Sequence, residues 1–339
     1  MKKVIAFILA AVLVLSLLAG LAGCADSGAN NTTGANDASG AATTKYKVGI
    51  CQLVRHDALD AATKGFRDAV VQGLGEENVE FIEQNAQGDT TTCTTIVTDL
   101  VNKKVDLIMA NATPALQSAV NGTTTIPILG TSVTEYGVAL DIKDFNGTVG
   151  GNVSGCSDLA PLDQTAQIIL DMFPDAKKVG LIYCSAEANS AYQVKAVKDY
   201  LTGKGLTCTE YSFADANDVS VVAATAAAAS DVLYVPTDNT AASCAETINN
   251  IVLPTGTPIV GGDTALCKGC GVATLSVDYY DLGVATGKMA VDILTGKANI
   301  SEMPIGYADP LKVYNAENCK ALNIDTKKLE DAGFTAIAD

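Results

Sequence analysis

The feature that most constrains this chain is a repeated unit of a short apolar strand, a polar turn and a helix. Its plainest copy is Val105-Asp-Leu-Ile-Met-Ala-Asn-Ala-Thr-Pro-Ala-Leu-Gln117. Val105 to Ala110 is an apolar run broken only by Asp106, the pattern of a strand buried on both faces. Thr113 then offers a hydroxyl at an N-cap, and Pro114 suits the first helical position, where its missing N–H costs nothing. Such a turn points free N–H groups and a positive helix end outward, which suits an anion such as a carboxylate.

The unit recurs along the chain. Tyr46 to Leu53 reads as a strand, and a helix follows from about Ala58 to Leu74. That helix has Leu59, Ala62, Phe66, Val70 and Leu74 on one stripe and Asp57 as its cap. Val79 to Asn85 is a second strand, followed by a helix carrying Ile96, Val97, Leu100 and Val101; Val105 to Ala110 and Ile126 to Gly130 are the third and fourth strands. A polar, Gly-rich passage from Asp144 to Asp158 interrupts the pattern, which then restarts. Helices are expected near Leu162–Met172, Ser190–Leu201 and Val219–Ala229. The matching strands are Lys178–Cys184, Thr207–Phe213, Val232–Pro236, Pro258–Gly261 and Gly271–Val277, and a last helix runs from Leu282 to Leu294 before Gly296. Alternation of this kind implies βαβ units. The fold class is therefore α/β, with two doubly wound parallel-sheet lobes, a hinge and a ligand cleft between them; 339 residues suffice for two such cores.

The N-terminus reads differently. Lys2 and Lys3 form a basic region, Val4 to Leu18 is an apolar core, and Leu21-Ala22-Gly23-Cys24 closes with small residues before a cysteine. This resembles the lipobox of a bacterial lipoprotein, which implies cleavage before Cys24 and a lipid on its thiol. Ala25 to Thr44 holds no large apolar residue and reads as a flexible tether. The expected organisation is a signal peptide at 1–23, a lipidated tether at 24–44, and two lobes. The N-terminal lobe takes 45–155 plus about 277–308, and the C-terminal lobe takes 156–276 plus about 309–339. A net charge of −16 argues against nucleic acid and anionic lipid surfaces as partners. With Cys24 assigned, nine scattered cysteines remain. Cys51 and Cys184 lie in apolar runs, and Cys267-Lys-Gly-Cys270 is a lone CxxC that reads as a local disulfide or two free thiols rather than a metal site.

In open α/β sheets ligands bind outside the carboxyl ends of the strands. That places the turns Gln52–Asp57, Asn111–Pro114, Thr131–Thr134, Ser185–Ser190, Thr237–Asn239 and Val277–Tyr280 at the cleft. The Thr113 turn and the turn holding Glu187, Asn189 and Ser190 together suit a carboxylate clamp, unless Thr113 and Ser190 merely cap their helices. Asp238 and Asp278 are placed to hold an ammonium, or are solvated loop acids. Clamp and acid together would suit a zwitterionic amino acid. His56, the only histidine, either caps or contacts a ligand side chain, and Tyr183 is core or cleft wall. No phosphate-binding fingerprint or nucleophile elbow is present, so no cofactor and no catalytic residue is expected.

Val48-Gly-Ile-Cys-Gln52, His56-Asp-Ala-Leu-Asp-Ala-Ala62 and Gly65-Phe66 resemble the opening of the ABC-transporter substrate-binding lipoproteins of the tryptophan/tyrosine type. Asp106-Leu-Ile, Ala112-Thr-Pro-Ala115, Asn152-Val-Ser-Gly155, Ser157-Asp158, Glu187-Ala-Asn-Ser190, Pro236-Thr-Asp-Asn239 and Asp278-Tyr279 continue the likeness. It implies a type I periplasmic-binding-protein fold with three crossovers, and it places cleft motifs on Gln52, His56, Thr113, Asn189, Ser190, Asp238, Asn239 and Asp278. Ser132, Tyr183 and Glu187 complete the candidate set. Two departures bear on the ring-binding side: Asp57 stands where the family has Pro, and Val133-Thr-Glu-Tyr136 replaces Val-Thr-Asp-Pro. The implied function is that of a monomeric, membrane-anchored solute-binding lipoprotein that carries an amino acid, aromatic or not, to an ABC permease. The alternatives are a ligand-sensing receptor for a membrane signalling protein, or an enzyme on the same fold.

Overall fold

The computed structural model describes residues 45–337; the leader, Cys24 and the tether lie outside them. The chain begins with β1 (Tyr46–Gln52), α1 (Asp57–Leu74), β2 (Val79–Asn85), α2 (Thr90–Asn102), β3 (Leu107–Asn111), α3 (Thr113–Gly122), β4 (Ile128–Val133), a short α4 (Tyr136–Ala139) and β5 (Val153–Ser157). It continues through α5 (Leu162–Met172), β6 (Lys178–Cys184), α6 (Ala188–Gly203), β7 (Thr207–Phe213), α7 (Val219–Ala229), β8 (Val232–Val235), α8 (Asn239–Ser243), α9 (Ala245–Val252), β9 (Ile259–Gly261), α10 (Thr264–Gly269) and β10 (Ala273–Val277). α11 (Tyr279–Leu294), β11 (Gly306–Tyr307), β12 (Pro310–Tyr314), α12 (Ala316–Ala321), α13 (Thr326–Asp331) and β13 (Thr335–Ala336) follow.

The strands form two sheets, ordered β11-β5-β4-β3-β1-β2 and β13-β12-β10-β9-β8-β6-β7. Read from the far edge, each begins with the same doubly wound order, second strand, first, third, fourth and fifth. All pairings in both sheets are parallel except β10 with β12. The chain crosses between the sheets three times: after β5, after β10 and after β11. Separate apolar clusters fill the two halves. Ile108, Leu116 and Ile128 lie in one cluster of the first half, and Leu181, Val232 and Leu275 in one of the second. Although α11 follows a strand of the second sheet, it packs on α1. A Cβ on Gly65 would sit 2.1 Å from the Tyr280 carbonyl oxygen, and one on Gly283 would sit 2.0 Å from that of Ala62. Only glycine permits that backbone approach.

Several local expectations are corrected. β5 lies inside the passage read as an interruption. Its short Val153-Ser-Gly-Cys-Ser157 sequence is buried by close packing of small residues, with Gly155 (φ 147°) pressed against Gly130, and so shows no apolar run. The N-cap of α1 is His56 rather than Asp57, and that of α3 is Ala112, which leaves Thr113 as the first helical residue. Glu187 occupies the N-cap position of α6, and Ser190 lies inside that helix. The nine cysteines among the described residues are all free, Cys267 and Cys270 included. No helix among the described residues is long and apolar enough to cross a membrane.

Candidate functional site

Doubly wound sheets open a crevice at the point where the strand order reverses, here between β1 and β3 and again between β6 and β8. The two crevices face each other. Across the gap, His56 Nε2 lies 3.4 Å from Asn239 Oδ1, Gln193 Nε2 donates to Thr134 Oγ1 at 3.5 Å, and Lys268 pairs with Asp57 at 3.1 Å.

On the first side, Gln52 ends β1, but its side chain serves the fold. It donates to the Val54 carbonyl and to Asp60, and accepts from Thr63 at 2.6 Å. Thr63 in turn accepts from Asn111 at 3.0 Å. Ala112 (φ 91°, ψ 158°) and Ser132 (φ 54°) are buried non-glycine residues at positive φ, at the ends of β3 and β4. Each such conformation costs about 1–3 kcal/mol, and such strain collects at ligand sites. The strain aims Thr113 and Ser132, whose hydroxyls are buried and have no partner within the chain. At the first crossover, Asp158 accepts from the Tyr279 phenol at 2.9 Å while its other oxygen, Oδ1, is buried and unpartnered. Burial pushes the Asp158 carboxyl up, against the hydrogen bonds from Tyr279 and Thr134.

On the second side, Glu187 is a structural hub. Its carboxylate accepts from the Asn239 and Thr240 backbone N–H groups at 3.1 and 2.9 Å, from Asn239 Nδ2 at 2.6 Å and from the Thr240 hydroxyl at 2.8 Å. Asp238 caps α8 through Ala241 N and accepts from Cys184 N at 2.6 Å. Burial pushes it up to about 8, with Glu187 adding to the effect and the hydrogen bonds from Ala241, Cys184 and Ser190 opposing it. Asn189 donates to the Thr237 carbonyl, and its Oδ1 is buried without a partner.

Eight buried side-chain polar atoms lack a partner among the described residues. Six belong to strand ends and to the turns and helix starts that follow them: His56 Nδ1, Asn111 Oδ1, Thr113 Oγ1, Ser132 Oγ, Asp158 Oδ1 and Asn189 Oδ1. Buried polar groups are rarely left unpaired, so this concentration marks where a ligand would be bound. A cavity of about 300 Å3 opens beside it, lined from one side by Leu53 and Pro114 and from the other by Cys184, Glu187, Asp215 and Thr240. None of the six residues lines this cavity or a larger one of about 610 Å3 between α5 and α13, but the smaller one touches Pro114, next to Thr113, and Glu187, two residues before Asn189.

The candidates from sequence thus separate. His56, Thr113, Ser132 and Asn189 are brought together with free hydrogen-bonding atoms. Gln52, Glu187, Asp238 and Asn239 spend polar atoms within the fold: Gln52 on Val54, Asp60 and Thr63, Glu187 on Asn239 and Thr240, and Asp238 on Cys184 and Ala241, with a further bond from Ser190. Tyr183 pairs with Glu210 at 2.9 Å, and Asp278 is exposed and caps α11, so neither joins the group. The turns include Asn111, but not as a candidate residue, and they do not single out Asp158 or Gln193, which grips Thr237 through both its side-chain N–H and its side-chain carbonyl. Asp158 follows β5, a strand with no apolar run to mark its end. Gln193 lies a turn into α6, outside any turn.

A model of the ABC transporter substrate binding protein family matches residues 47–329. The chain is 33% identical over 326 residues to a tyrosine-binding protein of Clostridioides difficile, covering 95% of this chain and 93% of that one. Among solved structures, an ABC domain from Streptococcus pneumonia in complex with L-Trp is 31% identical, with a TM-score of 0.81 over 86% of this chain and all of that one. A ligand-free, open substrate-binding protein with adhesive properties from Clostridium difficile is 34% identical over the same shares, with a TM-score of 0.64.

Proposed function

From the premise that the chain belongs to the family of ABC transporter substrate-binding proteins, which bind solutes rather than transform them, we propose that it takes up a free α-amino acid, tyrosine or tryptophan foremost. The observation that carries the reading is the set of six buried, unpartnered polar atoms at strand ends and the helix starts that follow them. A zwitterion answers them from both sides. Asp158 Oδ1 accepts from the ammonium, and the Thr113 and Ser132 hydroxyls donate to the carboxylate beside the N-terminus of α3. Asp158 takes the part first expected of Asp238 and Asp278, because Asp238 is already saturated by Cys184 and Ala241 and Asp278 faces solvent.

The lobes that close are proposed to be 45–155 with about 277–308, and 156–276 with about 309–339. Their closure by hinge motion is the signal a permease reads. The bonds His56–Asn239 and Gln193–Thr134 across the gap support a closed arrangement here. So does the higher TM-score to the L-Trp complex than to the open relative. Lipidation of Cys24 is proposed to hold the protein, as a monomer, on the outer face of the cell membrane.

The test is a thermal-shift and calorimetric screen against the twenty amino acids, simple peptides and sugars. A ligand at 100 times its Kd adds about 2.7 kcal/mol of stability, enough for a clear shift. A shift with tyrosine or tryptophan that is lost in Asp158→Asn supports the reading. A shift only with sugars or peptides overturns it.

A further inference from the structure

We infer that His56 receives the bound solute as a hydrogen-bond acceptor at Nδ1, so that the amino acid must bring a side-chain N–H or O–H donor to it. The inference rests on the amino-acid reading of the cleft and adds a selection rule to it.

The Glu187 carboxylate has only lone pairs to offer, and it already accepts from Asn239 N at 3.1 Å and from Asn239 Nδ2 at 2.6 Å. The Asn239 amide is therefore oriented with its NH2 toward Glu187 and its Oδ1 outward. That Oδ1 lies 3.4 Å from His56 Nε2. An amide oxygen only accepts, so Nε2 carries the hydrogen. A neutral imidazole has one donor nitrogen and one acceptor nitrogen, which leaves Nδ1 with a bare lone pair. Nδ1 is buried and finds no donor within the chain. Burial holds the ring toward its neutral form, outweighing the pull of Asn239, Glu187, Asp60 and Asp57 toward the charged one.

His56 ends the β1–α1 turn and reaches across the gap to the second lobe, so its ring stands between the two halves. The ammonium is already answered by Asp158, at the end of β5, with β3 and β4 between it and the β1 end that carries His56. The donor that Nδ1 lacks therefore belongs to the side chain: a phenol O–H or an indole N–H satisfies it, and an unsubstituted phenyl ring does not. A site built around a hydrogen bond rejects the analogue that lacks the group, because its own acceptor is then buried unpaired.

The chain has a single histidine, so nitrogen NMR of the purified chain labelled with 15N-histidine reports this ring without assignment. With L-tyrosine bound, we expect a protonated Nε2 and an unprotonated Nδ1 whose resonance moves on ligand addition. L-phenylalanine should leave that resonance in place and bind at least about tenfold more weakly than L-tyrosine by calorimetry. His56→Leu should abolish the discrimination, and His56→Gln, which keeps an acceptor, should retain part of it. A hydrogen on Nδ1 in the tyrosine complex, or equal affinity for tyrosine and phenylalanine, overturns the inference while the amino-acid reading stands. Silence of tyrosine and tryptophan alike in calorimetry removes the reading itself, and the inference with it.

Discussion

The Tyr279 phenol donates to the Asp158 carboxylate at 2.9 Å, and both residues are buried. Asp158 directly follows β5 and Tyr279 opens α11, so this bond joins two of the three segments on which the chain passes between its sheets. It also leaves Asp158 Oδ1 as the one free acidic acceptor among the unpaired atoms. Tyr279→Phe removes the donor and leaves the carboxylate less satisfied, at a cost of about 1–3 kcal/mol in stability. Urea unfolding of the variant at neutral pH measures this. An unchanged midpoint would show that the crossover segments are held by something else.

Thr113 and Ser132 make the opposite prediction. Their hydroxyls have no partner within the chain, so Thr113→Val and Ser132→Ala lose no hydrogen bond on folding and should leave the unfolding midpoint unchanged or slightly raised. Each should nonetheless weaken amino-acid binding about tenfold or more, as a charge-assisted bond to the carboxylate is lost. Calorimetry beside thermal unfolding separates the two effects. Loss of stability without loss of affinity would assign these hydroxyls to the fold.

Stability should fall as pH rises from about 6.5 to 8.5. Burial pushes Asp238 up to about 8 and Asp263 up to about 7, so between the ordinary carboxylate range and those values the folded chain binds protons that the unfolded chain has released. The unfolded state thus gains on the folded one with rising pH. His56 is shifted downward, and its effect, a loss of stability on acidification, is confined to lower pH. Asp263 caps α10 through Leu266 N, a role that asparagine can fill, so Asp263→Asn should flatten the slope without unfolding the helix end. Thermal unfolding at several pH values reads it, and a rising Tm over that window would contradict the assignment.

The Lys268–Asp57 pair spans the gap at 3.1 Å, but both side chains are more than half exposed, at 52% and 72%. Exposed pairs contribute about 0–1 kcal/mol. Lys268→Met should therefore change amino-acid affinity less than about fivefold and mainly remove some salt dependence. A larger loss would make this pair a principal closing contact.

The alternation of apolar strands with helices made the fold class readable, because strands buried on both faces, such as Leu107–Asn111, announce themselves as apolar runs. β5 escaped because glycine and serine can be buried by close backbone packing, which leaves no hydropathic trace. The site was readable to the level of turns. Which polar atoms remain free was not, since it depends on partners distant in sequence. Asp238 looked like a ligand until Cys184, 54 positions earlier, was seen to occupy it. Thr113 looked like a cap until Ala112 was found at φ 91° in that position.

The most direct test of the account compares L-tyrosine with tyramine, which lacks the carboxylate, and with 3-(4-hydroxyphenyl)propionate, which lacks the ammonium, by calorimetry on the wild-type chain and on Asp158→Asn. Recognition of both charged ends predicts that each analogue binds roughly a hundredfold more weakly than tyrosine, and that Asp158→Asn brings tyrosine close to the propionate. If the propionate binds the wild-type chain as tightly as tyrosine does, Asp158 does not hold an ammonium and the cleft is not a zwitterion site.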